Sequence, residues 1–366
     1  MAIKSRWMLQ IEDAIKIAPS APEAACLRVQ RAMLLVRQGQ LGAAREALTS
    51  MHQLAFQHVL PELSAWLHLA EGLVAYYTDF SSGNAYDEVQ RAHQIAADIE
   101  HVEVESLASA WLADFSYVRL DLAAMIRHAQ DCLRLAPSEH HAARTRLCMV
   151  LAAAHDYAGG HAHAQAWYGA ARRHATELGD DVSLSALMYN MAEMRTAQAR
   201  HAELTQAVHH QAPLLLGADS VRHFDAAIGG SAMSELTALL RAQVLTLQRE
   251  FAQARMLYET HLPSAMSGGL ARLGSSYLSE LAWCCVNTGE ADLARQHARK
   301  AEFELGPNCH TDDRAATHSR LAQVHEALNQ RPQAELHTER AAAAWIDFER
   351  QQAEWREALS RAALLL

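Results

Sequence analysis

The stretch Arg144-Thr-Arg-Leu-Cys-Met-Val-Leu-Ala-Ala-Ala-His-Asp-Tyr-Ala-Gly-Gly160, continued by His161-Ala-His-Ala-Gln-Ala-Trp-Tyr-Gly-Ala-Ala171, decides the fold. Leu151 and Ala152 sit late in one amphipathic helix, Gly159 breaks it, and Ala164, Tyr168 and Ala171 fall along one face of a second. Two helix backbones approach closely only where the side chain between them is short. A small residue at Ala152 followed by a turn and an Ala-x3-aromatic helix is therefore the pattern of a tightly paired helix hairpin.

The pattern recurs through the chain. Ala32, Ala70, Ala113, Ala152, Ala192, Ala242, Ala282 and Ala322 each fall late in a helical stretch, spaced by 38 to 50 residues. A turn signal follows seven positions later at Gly39, Gly159, Gly289 and Asn329. Five positions beyond that comes another Ala, at 44, 164, 294 and 334, with Ala254 matching in the sixth unit. These offsets resemble the tetratricopeptide repeat (TPR), in its longer form found in bacterial sensors and regulators. The resemblance implies an all-α, right-handed superhelical solenoid of about eight helix–turn–helix repeats.

Composition fits that reading. Half of the residues are apolar, and almost no segment alternates apolar with polar, so strands are not expected. A net charge of −10 argues against nucleic acid or an anionic membrane as the main partner. No apolar run is long enough to span a bilayer and no secretory leader is visible. The six cysteines lack metal-type spacing and read as small buried residues of a reduced, cytoplasmic protein.

In order, residues 1–22 read as a capping helix, a half repeat whose Ala14-Ile-Lys-Ile-Ala-Pro19 parallels Cys132-Leu-Arg-Leu-Ala-Pro137. Residues 23–210 hold repeats one to five, with Thr78–Asn84 expected to protrude as an insertion. Residues 211–230 read as an irregular connector or hinge with a short helix around 220–227. Residues 231–332 hold repeats six to eight. Residues 333–366 form one long helix whose Trp345, Phe348, Trp355 and Leu359 make an apolar stripe. Beyond residue 348 that stripe is expected to meet a second copy of the chain or a further domain. The ending Leu364-Leu-Leu366, with no polar finish, suggests a fragment of a longer protein.

Catalytic signatures are absent. Gly269-Leu-Ala-Arg-Leu-Gly274-Ser-Ser276 has the glycine spacing of a phosphate loop but no Lys, and His325-Glu326 lacks the second His of a zinc-protease helix, because position 329 is Asn. The 22 histidines, dense around His140, His141, His155, His161, His163 and His174, read mostly as surface residues, with no metal or other cofactor expected. Vicinal Cys284-Cys285 cannot close a relaxed disulfide within a helix and reads as core.

The TPR resemblance places a binding groove along the first helix of each repeat. Carried over position by position, its lining is Glu71, Asp114, Tyr117, Met149, Asp156, Tyr189, Glu193, Trp283 and Gln323, with Asn190 in a peptide-backbone role and Arg146 and Tyr157 flanking. Acidic and aromatic side chains in one groove suggest a basic or amphipathic protein segment as the partner. The expected function is that of a non-catalytic protein- or peptide-binding scaffold or adaptor. The alternative is a sensory input module of a larger signalling protein, a diguanylate cyclase or a transcription regulator.

Overall fold

The computed structural model describes residues 5–207, 214–229, 234–306 and 309–365, and these form seventeen α-helices with no strand among them. None of the described helices is long and apolar enough to cross a membrane. By compactness the chain divides into a first unit (Met1–Leu187, Phe224–Ala232, Glu354–Leu366) and a second (Met188–His223, Met233–Ala353).

The first unit opens with α1 (Arg6–Ile17), capped by Ser5, whose hydroxyl accepts from the Met8 amide at 3.2 Å. Four helix pairs follow: α2 (Ala21–Arg37) with α3 (Leu41–Gln57), α4 (Pro61–Thr78) with α5 (Gly83–Asp98), α6 (Val102–Val118) with α7 (Leu122–Leu135), and α8 (His141–Tyr157) with α9 (His161–Leu178). Helix α10 (Asp181–Leu204) starts in this unit and continues in the second. The second unit holds most of α11 (Leu214–Ile228), α12 (Ser234–Leu247) paired with α13 (Phe251–Ala265), α14 (Gly274–Asn287) paired with α15 (Ala291–Glu304), α16 (Thr311–Ala327) and α17 (Arg331–Ala362) as far as Ala353, while the ends of α11 and α17 belong to the first.

The small-residue positions lie where helices touch. Ala32, Ala70, Ala113, Ala152, Ala192, Ala242 and Ala282 are buried, as are Ala44, Ala164, Ala254 and Ala294 in the partner helices. The eighth repeat departs from this, with Ala322 and Ala334 only half-buried. Close approach is tightest at Gly72 of α4, where an added Cβ would stand 2.5 Å from Val89 Cγ2 and 3.0 Å from the Ala85 carbonyl oxygen on α5.

The turns obey the same register. Seven residues after the small residue the backbone is left-handed at Gly39, Leu120, Gly159, Arg249, Gly289 and Asn329, with φ between 56° and 81°. Glycine and asparagine tolerate this region. Leu120 and Arg249 adopt it at a cost of about 1 kcal/mol each, which the packing of the flanking helices outweighs.

Three expectations need correction. First, 211–230 is not irregular where it is described: residues 214–228 form α11, whose Ala218 and Val221 pack in the second unit against Ala192 and Leu240. Residues 211–213 and Gly230 lie outside the described residues, as does Leu366. Second, the Thr78–Asn84 segment is not a free loop: Thr78 ends α4 and Gly83 opens α5, and although Thr78, Ser81, Gly83 and Asn84 are exposed, the turn carries an anchored ring. Phe80 folds back so that its ring lies 5.0 Å from Tyr76 and 6.0 Å from Tyr77, because an apolar ring at a turn finds cover on its own repeat.

Third, the stripe of α17 is satisfied within this chain. Trp345 donates from Nε1 to Ser319 Oγ at 3.0 Å and stacks on His201 with ring centroids 4.3 Å apart, both partners in the second unit. Phe348, Trp355 and Leu359 are buried. In the first unit Trp355 meets Tyr157 at 5.0 Å and Tyr117 at 6.0 Å, and Arg356 donates to the Ala158 carbonyl at 2.8 Å. A helix this long was expected to outrun the single repeat it starts on. Residues 354–362 of this helix belong to the first unit, and there Trp355 packs on that unit's tyrosines.

A candidate binding pocket lined by first helices

In the first unit the inner faces of α2, α4, α6 and α8 converge with the start of α10 around a pocket of about 40 Å³. That is space for roughly three waters or the tip of one side chain. Its walls are aromatic and cationic: Trp7, Trp66 and Trp111 stand with Arg37 and Arg146, and Glu103 lies at the exposed rim.

Each cation is held in place. Arg37 Nη2 donates to both carboxylate oxygens of Asp180, at 2.9 and 3.1 Å, and to Ser183 Oγ at 2.7 Å. Asp180 also accepts from the Ser183 amide, capping α10, so one carboxylate starts a helix and neutralises a buried guanidinium. Arg146 lies over Trp111, its Cζ 3.8 Å from the ring centroid, and faces Asp114 at 3.7 Å. That separation is too long for a strong hydrogen bond. Burial accordingly holds the Asp114 carboxyl above the usual carboxylate range despite the cation.

The second unit uses the same inner register differently. Arg320 on α16 and Glu280 on α14, each two residues before its repeat's small residue, are buried against one another, Nε to Oε2 being 3.1 Å. Glu280 also faces Arg200 at 3.5 Å, and Arg320 reaches Glu203 at 2.7 Å. Arg200 donates to Ser276 Oγ at 2.8 Å. Nearby, burial together with the charges of Asp313 and Asp312 pushes the Glu193 carboxyl up to about 7. Asp312 is also raised, by burial and by Asp313.

The expected groove residues are distributed among several environments. Asp114 and Arg146 come together beside the pocket. Tyr117 and Tyr157 are covered by Trp355, Met149 is buried, and Asp156 is buried accepting from His161 Nδ1 at 2.9 Å. These four are therefore not open lining, because the end of α17 and the helix pairing itself occupy their faces. Glu71 pairs with His52 at 2.8 Å. In the second unit Tyr189 packs on the Ala192–Val221 cluster, with Asn190 and Glu193 half-buried on the same helix. Trp283 lies 5.6 Å from the Arg320 guanidinium, which donates to Gln323 Oε1 at 2.6 Å.

The residues missed are Trp7, Trp66, Trp111 and Arg37. A signal existed. Gln30 and Trp111 line the pocket two positions before the small residue, the offset that also carries Glu280 and Arg320 and that singled out Asn190 alone.

All six cysteines are buried and unpaired, and burial pushes the Cys284 thiol up to about 12, so it is a protonated core residue.

No family model and no curated protein matches this chain. Among solved structures, the chain is similar to one described as a Rap protein complexed with competence and sporulation factor, with 12% identity, a TM-score of 0.57, and coverage of 94% of this chain and 92% of that one. At that identity the likeness speaks for the fold, and with the helix order it establishes an all-α, TPR-like helical-repeat solenoid.

Proposed function

We propose that the chain is a non-catalytic binding protein that receives the tip of an apolar side chain of a protein segment in the first-unit pocket. The observation that carries this is the lining: three tryptophans for apolar surface and two guanidiniums, each already matched by a carboxylate. A site so balanced does not select for net charge. It favours an amphipathic segment, with one anchor buried and its backbone polar groups met by Glu103 and the arginines. That a similar fold has been solved in complex with competence and sporulation factor supports a binding role for such an architecture. The input-module alternative has no observation in its favour.

A random peptide library displayed on phage and selected on the intact chain tests the proposal, with a Trp66→Ala, Trp111→Ala variant as counter-selection. Binders should share one apolar residue and lose most of their enrichment on the variant, whose helix content is checked by circular dichroism. Equal enrichment on both proteins would move the site away from the pocket.

A further inference from the structure

Three side chains in the second unit converge from three helices. Glu302 Oε1 on α15 lies 3.0 Å from His337 Nε2 on α17 and 3.2 Å from His325 Nε2 on α16. The three ligand-type atoms all fall within 4.8 Å of one another. Both histidines are buried, whereas Glu302 is 37% exposed, so the group has one side open to water.

We propose that Glu302, His325 and His337 form a binding site for a divalent transition metal, zinc above all. Zinc bonds to imidazole nitrogen and carboxylate oxygen at about 2.0–2.2 Å, so neighbouring ligand atoms in a tetrahedral shell stand about 3.3 Å apart. The two nitrogen-to-oxygen distances match that edge to within a few tenths of an ångström. Two imidazoles and one carboxylate are a complete protein ligand set for a zinc ion that keeps a fourth, exchangeable position.

The outer contacts are of the kind ligating histidines need. A histidine offers its Nε2 lone pair to a metal when its proton sits on Nδ1, and it is held there by an acceptor for that proton. His325 Nδ1 has Gln330 Oε1 at 2.7 Å, an oxygen able to accept. His337 Nδ1 has His318 Nδ1 at 2.9 Å, and a neutral His318 protonated on Nε2 accepts there. Both Nε2 lone pairs then point at the same carboxylate oxygen. Two acceptors facing a third leave a gap that a cation fills.

Without metal the same atoms can be satisfied by the opposite tautomers, with both Nε2–H groups donating to Glu302. The two states differ only in where protons sit and in whether zinc binds. Competition against a chromophoric zinc chelator, on the intact chain stripped of metal beforehand, separates them. The wild type should take up one zinc per chain, and His325→Gln and His337→Gln should each weaken uptake by roughly a hundredfold or more. Substituting cobalt(II) should give the strong visible absorption of a four-coordinate site, absent from both variants. A His141→Gln, His174→Gln variant controls for the closely paired histidines of the first unit, 3.0 Å apart, and should retain zinc. Failure of the wild type to bind at micromolar zinc would overturn the site. So would retention of zinc by folded triad variants, or its loss on changing His141 and His174.

Discussion

Inner-face residues at equivalent repeat positions give a recess in the first unit and a filled polar core in the second. In the first unit Gln30 and Trp111 share the wall with Trp66, and the two arginines lie back against carboxylates or a ring, so a recess remains. In the second, Glu280 and Arg320 project inward and close on each other, with Arg200 and Glu203 completing a four-charge cluster. The repeat geometry sets where an inner side chain points. Whether that produces a recess or a filled core is decided by pairing: flat aromatic walls hold an arginine aside, whereas opposite charges draw together.

The largest effect that would break this contrast is at Glu280. Both it and Arg320 are almost fully enclosed, at 1% exposure each by residue, and the ion pair between them lacks hydrogen-bond alignment, although Arg320 is hydrogen-bonded to Glu203 through both Nη atoms. Glu280→Ala leaves Arg320 buried with only the half-exposed Glu203 to neutralise it. The expected loss is about 3–5 kcal/mol in urea unfolding, read on the second unit's transition. Glu280→Leu combined with Arg320→Met should recover part of that loss, because it removes the desolvation costs of this pair while the buried Arg200 still loses its carboxylate. A double variant as unstable as the single would mean that the cluster has a larger net stabilising role than burial energetics allow.

A somewhat smaller effect sharpens the second unit's polarity through pH. Glu193 has its carboxyl raised from 4.5 to about 7, chiefly by burial. Between those values the folded chain holds a proton that the unfolded chain has released. The group therefore penalises folding progressively as pH rises from about 4.5 to 7, fully above 7 and not at all well below 4.5. The penalty is at most about 3 kcal/mol. Glu193→Gln should relieve it, so the stability difference between variant and wild type should grow from pH 5 to pH 7.5. Buried histidines titrate with the opposite sign, which is why the difference is the measurement. A difference that stays flat across this range would show that water or a cation already solvates the carboxylate.

How much of this was legible before the structure follows from what each feature depends on. The small residues at Ala152 and Ala282 and the left-handed positions at Gly159 and Gly289 answer to their own backbones, so spacing alone reveals them. Even Leu120 could be located by register, although its residue type does not suggest a left-handed turn. The pocket depends on which side chain turns inward. Offsets of one and four after the small residue placed Tyr117 and Asp156 in an open groove that is in fact covered. Periodicity showed that α17 carries an apolar stripe. It could not say that Trp355 would meet Tyr117 and Tyr157, some two hundred residues earlier, because a stripe carries no address. The triad of Glu302, His325 and His337 was hidden for the same reason, its second histidine lying on the next helix instead of one turn away.

The smallest effect tests the other half of the comparison, that an arginine held against a ring keeps the first unit's recess open. Arg146 lies 3.8 Å above Trp111 and 3.7 Å from Asp114. Arg146→Lys preserves the charge and its attraction to Asp114 but loses the planar stack, and an ammonium is more strongly hydrated than a guanidinium. The stack is worth about 0.5–2 kcal/mol when partly desolvated, so the variant should lose about 1 kcal/mol in thermal unfolding. Trp111→Leu alone removes the ring and should cost more, since it also takes away buried surface. The informative quantity is their combination. If the stack holds Arg146 aside, the double variant should lose less than the sum of the singles by about 1 kcal/mol, because an interaction already removed cannot be removed again. Strict additivity would mean that Asp114 alone positions the guanidinium, and that the recess owes its space to the ion pair, as the second unit's filled core owes its closure.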